Sequence, residues 1–389
     1  MRRVFVIVLD SFGVGEMPDA RKYRDEGSNT IGSVSSSKYF SAPILQSMGI
    51  FNIDGVKASV EPTIEPKAAY MKLSELSEGK DTTTGHWEIA GLVSHEAFPT
   101  YPKGFPKYII DELEEKFGRK IICNKPYSGT EVIKDYGDEH VKTGALIVYT
   151  SADSVLQIAA HEDYVPLEEL YRYCEIARVV MQGKDGVGRI IARPFKGESG
   201  NYFRTENRHD FSLTPPKDTM LDVLKDNKLD VISVGKIYDI FAGKGITEAH
   251  RTKNNDEGME VTLQLQQKDF EGLCFVNLVD FDMLYGHRND VDGYAKAISE
   301  FDNQLSKFIK NMRSEDLLII TADHGCDPLT PSTDHSREYI PVLFFGDRIK
   351  PENLHTKAGF DYIAGTILEY FNIEHPRIQK SILGDIYNV

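Results

Sequence analysis

The chain has 389 residues, enough for a large core and more than one ordinary compact domain holds, so two domains are expected. Hydrophobic residues make up 41% and charged residues 27%, the profile of a soluble globular protein. A formal net charge of -15 excludes a surface built to hold nucleic-acid phosphates through surplus Lys and Arg, while leaving room for a local basic cluster that serves a small phosphorylated substrate.

The N-terminus predicts a buried first strand, Val4–Leu9, a continuous β-branched and aromatic run that stops at Asp10. The run is too short for a signal peptide, and no other apolar stretch approaches membrane-spanning length, so a cytoplasmic protein is expected. The four cysteines, Cys123, Cys174, Cys274 and Cys326, show no C-x-x-C spacing, which fits reduced thiols in that compartment. Further along comes Gly79-Lys80-Asp81-Thr82-Thr83-Thr84-Gly85-His86-Trp87-Glu88, which reads locally as a Thr-rich helix N-cap. A hydroxyl at such a helix start, if it faced metal ions, would also be an activated nucleophile for phosphate.

Pro99, Pro102 and Pro106 then punctuate an entry and Pro215-Pro216 an exit, which predicts an inserted domain over 97–213 within a core made of 1–96 and 214–389. Inside the insertion, Ala145–Tyr149 and Arg189–Ala192 are strand-like. Leu167, Leu170, Cys174, Ala177 and Met181 form a helical stripe after Pro166. Strands are expected again at Val231–Val234, Leu273–Val279, Leu317–Thr321 and Pro341–Phe345, with a helix carrying Ile298, Phe301, Leu305, Phe308 and Met312 between two of them. Strands alternating with helices predict an α/β fold with a mainly parallel sheet.

The chemistry-bearing residues gather where those strands end. Asp10 follows the first, Asp282 and His287 follow Leu273–Val279, and Asp323-His324-Gly325 follows Leu317–Thr321, with Asp334-His335 soon after. Carboxyl ends of parallel strands open on one crevice, so these distant segments can meet there. Asp and His without Cys make an O/N donor set suited to Mn²⁺ or Zn²⁺. Basic residues able to grip a phosphate include Arg189, Arg193, Arg204, Arg208 and Lys236; Arg189 and Lys236 stand out because they are read as lying on apolar strand segments, where an unpaired charge is costly. No dinucleotide fingerprint, P-loop or G-x-S-x-G elbow is present.

Several long motifs resemble the bacterial phosphopentomutase family of the alkaline phosphatase superfamily: Asp10-Ser11-Phe12-Gly13-Val14-Gly15-Glu16, the stretch Gly79–Glu88, the run from Tyr149 to Gln157, Asn207-Arg208-His209-Asp210, Asn277-Leu278-Val279-Asp280-Phe281-Asp282 and Thr321-Ala322-Asp323-His324-Gly325. The resemblance implies an alkaline phosphatase-like three-layer α/β/α core with a smaller inserted α+β cap. It implies two Mn²⁺ ions, one held by Asp10, Asp323 and His324 and the other by Asp282, His287 and His335. It makes Thr82 the phosphorylated residue, and Ser151, Asp153, Val155, Arg189, Ile191 and Lys236 the lining of the sugar-phosphate site, with Arg208 beside them. The implied reaction interconverts the 1- and 5-phosphates of ribose or 2-deoxyribose, primed by glucose 1,6-bisphosphate or a pentose bisphosphate. Its partners are small sugar phosphates, with no nucleic acid, membrane or obligate protein partner. Thr83 stands where relatives can carry Met, and Cys326 is given no role.

Overall fold

The computed structural model describes residues 1–151 and 153–388. The chain divides into two compact units, Met1–Ala97 with Pro215–Val389, and Phe98–Thr214.

The larger unit is built on an eight-stranded sheet in the order Glu248–His250, Asp230–Val234, Gly272–Leu278, Arg3–Leu9, Asp316–Thr321, Ile340–Phe345, Ala69–Ser74, Asn353–Ala358. Pairing is parallel throughout except where Ile340–Phe345 runs against both neighbours, so the expected mainly parallel α/β sheet is present. Every residue of Arg3–Leu9, Gly272–Leu278 and Asp316–Thr321 is buried, which is why these three strands read as unbroken apolar runs. Helices Thr30–Ser35, Pro43–Met48 and Asn255–Gln266 pack on Val291–Lys310, while Thr82–Ile89 and Met220–Asp226 pack on Asp361–Tyr370, giving helical layers over the sheet. Among the described residues no helix is long and apolar enough to cross a membrane.

The inserted unit holds a six-stranded mixed sheet, with Leu146–Thr150, Val155–His161 and Arg189–Lys196 as its central strands. Helices Lys107–Phe117 and Leu167–Val180 pack over one apolar cluster, and Glu131–Thr143 contributes to another. Two helical stripes run slightly past their helices: Met181 caps Leu167–Val180, and Met312 lies beyond Val291–Lys310.

One expectation needs correction. Lys236 does not sit on an apolar strand: its strand ends at Val234, and Lys236 is an exposed residue of the following turn. Gly235, at φ +76°, turns the chain out of the sheet and so frees the lysine from the burial that the apolar run implied. Arg189 begins a strand as read, and its guanidinium lies 3.8 Å from Asp153 and 3.7 Å from Asp210.

Candidate active site

Parallel register brings the acidic residues to one edge. Leu9 pairs with Leu278 and Val8 with Thr321, so Asp10, the Phe281–Tyr285 turn that carries Asp282, and Asp323-His324 leave the sheet side by side. His287 follows in a second short turn, Gly286–Arg288. His335 is folded back by a two-bond bridge, in which Gly325 N–H donates to Ser336 O at 3.1 Å and Ser336 N–H to Gly325 O at 2.8 Å. Immediately after Asp10 the chain turns sharply through Ser11, at φ 69°, and Ser11 N–H donates to Asp323 Oδ1 at 3.0 Å. A left-handed conformation at a residue other than glycine costs roughly 1–2 kcal/mol, and here it aims a backbone donor at a site carboxylate.

Helix Thr82–Ile89 starts at this edge. Asp81 caps it, Oδ1 accepting from Thr84 N–H at 3.1 Å, so the hydroxyl of Thr82 on the first turn is not used for capping. Gly85 lets the helix press on the sheet: a Cβ there would lie 2.2 Å from the Asp323 carbonyl oxygen. Thr82 Oγ1 is thereby placed 3.2 Å from His324 Nε2.

The carboxylates and imidazoles form overlapping groups. Asp10, Asp323 and His324 offer donor atoms within 4.8 Å of one another, as do Asp282, His324 and His335, and Asp282, His287 and Cys326. His287 Nε2 is 3.2 Å from one oxygen of Asp282, and His335 Nε2 is 3.4 Å from the other. His324 Nδ1 faces the Gly325 carbonyl at 3.0 Å and His287 Nδ1 the Thr333 carbonyl at 2.6 Å. With those nitrogens protonated, each Nε2 turns a lone pair inward, as a metal-ligating imidazole requires.

The donor set fits cations. Asp10 Oδ1, Asp282 Oδ1, Asp323 Oδ2 and His335 Nε2 are buried with no hydrogen-bond partner among the described residues. Burial first, then the neighbouring Asp323 and Asp282 charges, pushes the Asp10 carboxyl well above the ordinary range. Burial opposes a charge on His335, yet the Asp282 carboxylate outweighs it and lifts the imidazole to about 9. A buried acid whose carboxyl is pushed up by its acidic neighbours, beside carboxylate oxygens that accept no hydrogen bond, marks a site short of positive charge.

Some members of the site were not singled out by their sequence pattern. His86 Nδ1 donates to Thr82 O at 2.9 Å and lies 3.1 Å from Asp323 Oδ2, while its Nε2 accepts from Asn277 Nδ2 at 3.3 Å. The same Asn277 amide donates to Asp10 Oδ2 at 2.8 Å, so His86 and Asn277 tie the helix that carries Thr82 to two carboxylates. Their signal was position: one lies a helical turn after Thr82, the other near the end of an acid-bearing strand. Cys326, given no role, is buried with its sulfur beside Asp282 and His287.

The expected sugar-phosphate residues fall in two places. Ser151, Asp153, Val155, Arg189 and Ile191 lie towards one end of the inserted unit's sheet, where Val155 pairs with Arg189, while Arg208 precedes strand His209–Ser212 and forks onto Asp210 through two 2.7 Å bonds. Ser151 Oγ accepts from Asp153 N–H at 3.3 Å, and Val155 and Ile191 are both 2% exposed. Lys236 belongs to the larger unit, on the turn after Asp230–Val234.

Comparison with known proteins agrees with this picture. The model of the metalloenzyme superfamily matches residues 2–375. A phosphopentomutase of Lachnoclostridium phytofermentans is 63% identical over 374 residues, covering 96% of each chain. One from Caldanaerobacter subterraneus is 56% identical, over 99% of this chain and 98% of its own. Among solved structures, a Leishmania mexicana phosphoglycerate mutase shares the fold at a TM-score of 0.51 and 13% identity, covering 100% of this chain and 98% of its own. The PH0037 protein of Pyrococcus horikoshii does so at 0.50 and 14%, covering 96% and 98%. At such identity over almost its whole length, the chain is an enzyme that belongs to the phosphopentomutase family, within the metalloenzyme superfamily.

Proposed function

We propose that the enzyme interconverts the 1- and 5-phosphates of ribose or 2-deoxyribose by passing a phosphoryl group through Thr82. The observation that carries this reading is the Thr82 hydroxyl itself, on the first turn of its helix and 3.2 Å from His324 Nε2, beside the buried carboxylates. Asp10, Asp323 and His324 would hold one cation, and Asp282, His287 and His335 a second. Mn²⁺ suits this O/N set, and when bound it supplies charge neutralisation at the transferring phosphate.

The chain's own residues do the rest. Phospho-Thr82 gives its phosphoryl group to the free hydroxyl of a pentose monophosphate, breaking the Thr82 O–P bond and forming a bisphosphate. The bisphosphate's other phosphate then returns to Thr82, leaving the isomeric monophosphate. A sugar bisphosphate such as glucose 1,6-bisphosphate primes the enzyme by the same transfer. The helix start favours the negative charge on Thr82, and His86 and Asn277 hold that helix against Asp10 and Asp323. Arg189, Lys236 and Arg208, with Ser151, Asp153, Val155 and Ile191, orient the distal phosphate and sugar, so catalysis is mainly positioning and charge stabilisation. The setting is cytoplasmic, and the partners are small sugar phosphates.

Mass spectrometry after treatment with glucose 1,6-bisphosphate tests the central step. A phosphate on Thr82, with turnover of ribose 5-phosphate, is expected. An unmodified Thr82 in a turning-over enzyme, or turnover of 3-phosphoglycerate instead, overturns the reading.

A further inference from the structure

The segment that returns from His335 to strand Ile340–Phe345 carries a carboxylate to which no role has yet been given. Glu338 is buried, and both of its oxygens are taken. Oε2 accepts from Gly15 N–H at 3.0 Å and from Thr30 N–H at 2.9 Å. Oε1 accepts from the hydroxyls of Thr30 at 2.8 Å and Ser336 at 2.7 Å. Backbone N–H groups can only donate, and Thr30 Oγ1 itself accepts from Cys326 N–H at 3.1 Å, which leaves its proton for Glu338. Burial pushes the Glu338 carboxyl up to about 7 against the pull of these donors, a mark of how costly an acid is in this place.

Two glycines make room for it. A Cβ on Gly13 would lie 2.5 Å from Glu338 Oε2, and one on Gly325 would lie 2.5 Å from Oε1. Neither glycine has a left-handed backbone, so these positions require space for the carboxylate and not conformational freedom. The groups that Glu338 gathers belong to the segments that carry Asp10, His324 and His335. Gly13 and Gly15 lie in the turn that starts at Asp10, Ser336 follows His335, and Cys326, tied in through Thr30, stands two residues after His324. Cys326 N–H is shared with Ser11 O at 3.1 Å, and Val14 N–H donates to Tyr339 O at 2.9 Å, so backbone bonds join the same segments around the carboxylate.

We propose that Glu338 is a positioning residue for the cation ligands: by fixing Gly15, Thr30 and Ser336 about one carboxylate, it sets the spacing of the segments that carry Asp10, His324 and His335. The inference rests on those three residues holding cations, as proposed above. Its four hydrogen bonds go to neighbours of the ligands rather than to the ligands, so it acts through backbone placement. A carboxylate that merely completed the core would behave differently, since its loss would lower stability and leave metal affinity unchanged.

Calorimetric titration of the full-length chelated protein with Mn²⁺ at pH 8, with urea midpoints measured in parallel, separates the two. Wild type is compared with Glu338→Gln, Thr30→Val, Thr30→Ser and Asp302→Asn. Asp302 is the control: a buried carboxylate that accepts from Ile44 N–H at 3.0 Å and Leu45 N–H at 2.8 Å, outside this network. Glu338→Gln keeps the shape but sets an NH₂ group against two donors, and is expected to weaken Mn²⁺ binding by ~10-fold or more. Thr30→Val should weaken it in the same direction, whereas Thr30→Ser keeps the hydroxyl and should bind as wild type does. Asp302→Asn should lower the urea midpoint with unchanged Mn²⁺ affinity. Unchanged affinity in Glu338→Gln overturns the proposal; if that variant does not fold, unchanged affinity in Thr30→Val does so. Equal weakening in Asp302→Asn also overturns it, because general loosening then accounts for the effect. Wild type that takes up no Mn²⁺ overturns the cation reading and this inference with it, whereas wild-type binding matched by Glu338→Gln overturns this inference alone.

Discussion

The two ends of the central strand Arg3–Leu9 handle buried charge in opposite ways. At its N-terminal end, Arg3 is fully buried and closed on every side. Its Nε and Nη2 donate to Asp316 at 2.8 and 2.7 Å, and its Nη1 donates to the carbonyls of Gln266 and Lys268 at 2.7 and 2.8 Å. At the C-terminal end, Asp10, Asp282 and Asp323 each keep an oxygen that accepts no hydrogen bond among the described residues. Both ends bury ions at a cost, but only the first completes its own hydrogen bonding. A closed charge pair holds the fold together, whereas an open cluster waits for something from solution.

The sharpest way to break this comparison is at the open end. Thr82→Ala should lower kcat by ~10⁴-fold or more, as loss of a nucleophile does, while changing stability by less than ~1 kcal/mol. Steady-state kinetics with ribose 5-phosphate and a urea titration read the two effects, and retained turnover would remove Thr82 from its role. At the closed end the pattern should invert. Arg3→Met leaves Asp316 buried without its partner and should cost ~3–5 kcal/mol of unfolding free energy, with kcat per folded molecule unchanged. Adding a Leu at 316 to that variant should restore most of the loss, because both charges are then gone.

Metal addition sharpens the same contrast on a smaller scale. Mn²⁺ at ~100 times its Kd should raise stability by about 2.7 kcal/mol for each site it fills, over chelated protein. The increment should be the same in Arg3→Met, since the two ends lie ~20 Å apart along the strand. A diminished increment in that variant would mean that the ends are coupled.

A buried histidine at neither end provides the smallest test. His140 Nδ1 donates to Ala145 O at 2.6 Å and its Nε2 accepts from His161 N–H at 2.9 Å, so the ring is satisfied as a neutral group. Burial lowers its pKa below the ordinary 6.5. The unfolded chain therefore binds more protons below that pH, and this contribution to stability is full above it and lost as pH falls. Urea midpoints at pH 5 and pH 8 should differ less in His140→Gln than in wild type. An equal difference would show that His140 does not titrate with unfolding.

Much of this was legible locally. Long apolar runs such as Val4–Leu9 and Leu317–Thr321 are strands because both faces are covered, and residues that follow such strands necessarily emerge at the sheet's edge. Ala69–Ser74 was missed because its burial alternates and its residues are mixed, and Asn353–Ala358 because it is a polar strand at the sheet's edge. The residues proposed to line the sugar-phosphate site rest on resemblance, and their surroundings were not legible: Arg189 meets two carboxylates and Lys236 is exposed, since neither ion pairing nor a turn one residue past a strand leaves a local mark.

By itself, then, the sequence determined the residue types at the strand ends, the α/β periodicity and the family. Only the tertiary structure decided which atoms meet. The Gly325–Ser336 bridge swings His335 onto Asp282, Gly85 lets Thr82 approach His324, and Glu338 gathers Gly15, Thr30 and Ser336 about one carboxylate. The reason is physical: periodicity is a property of neighbours along the chain, whereas side-chain convergence depends on pairings between segments hundreds of residues apart.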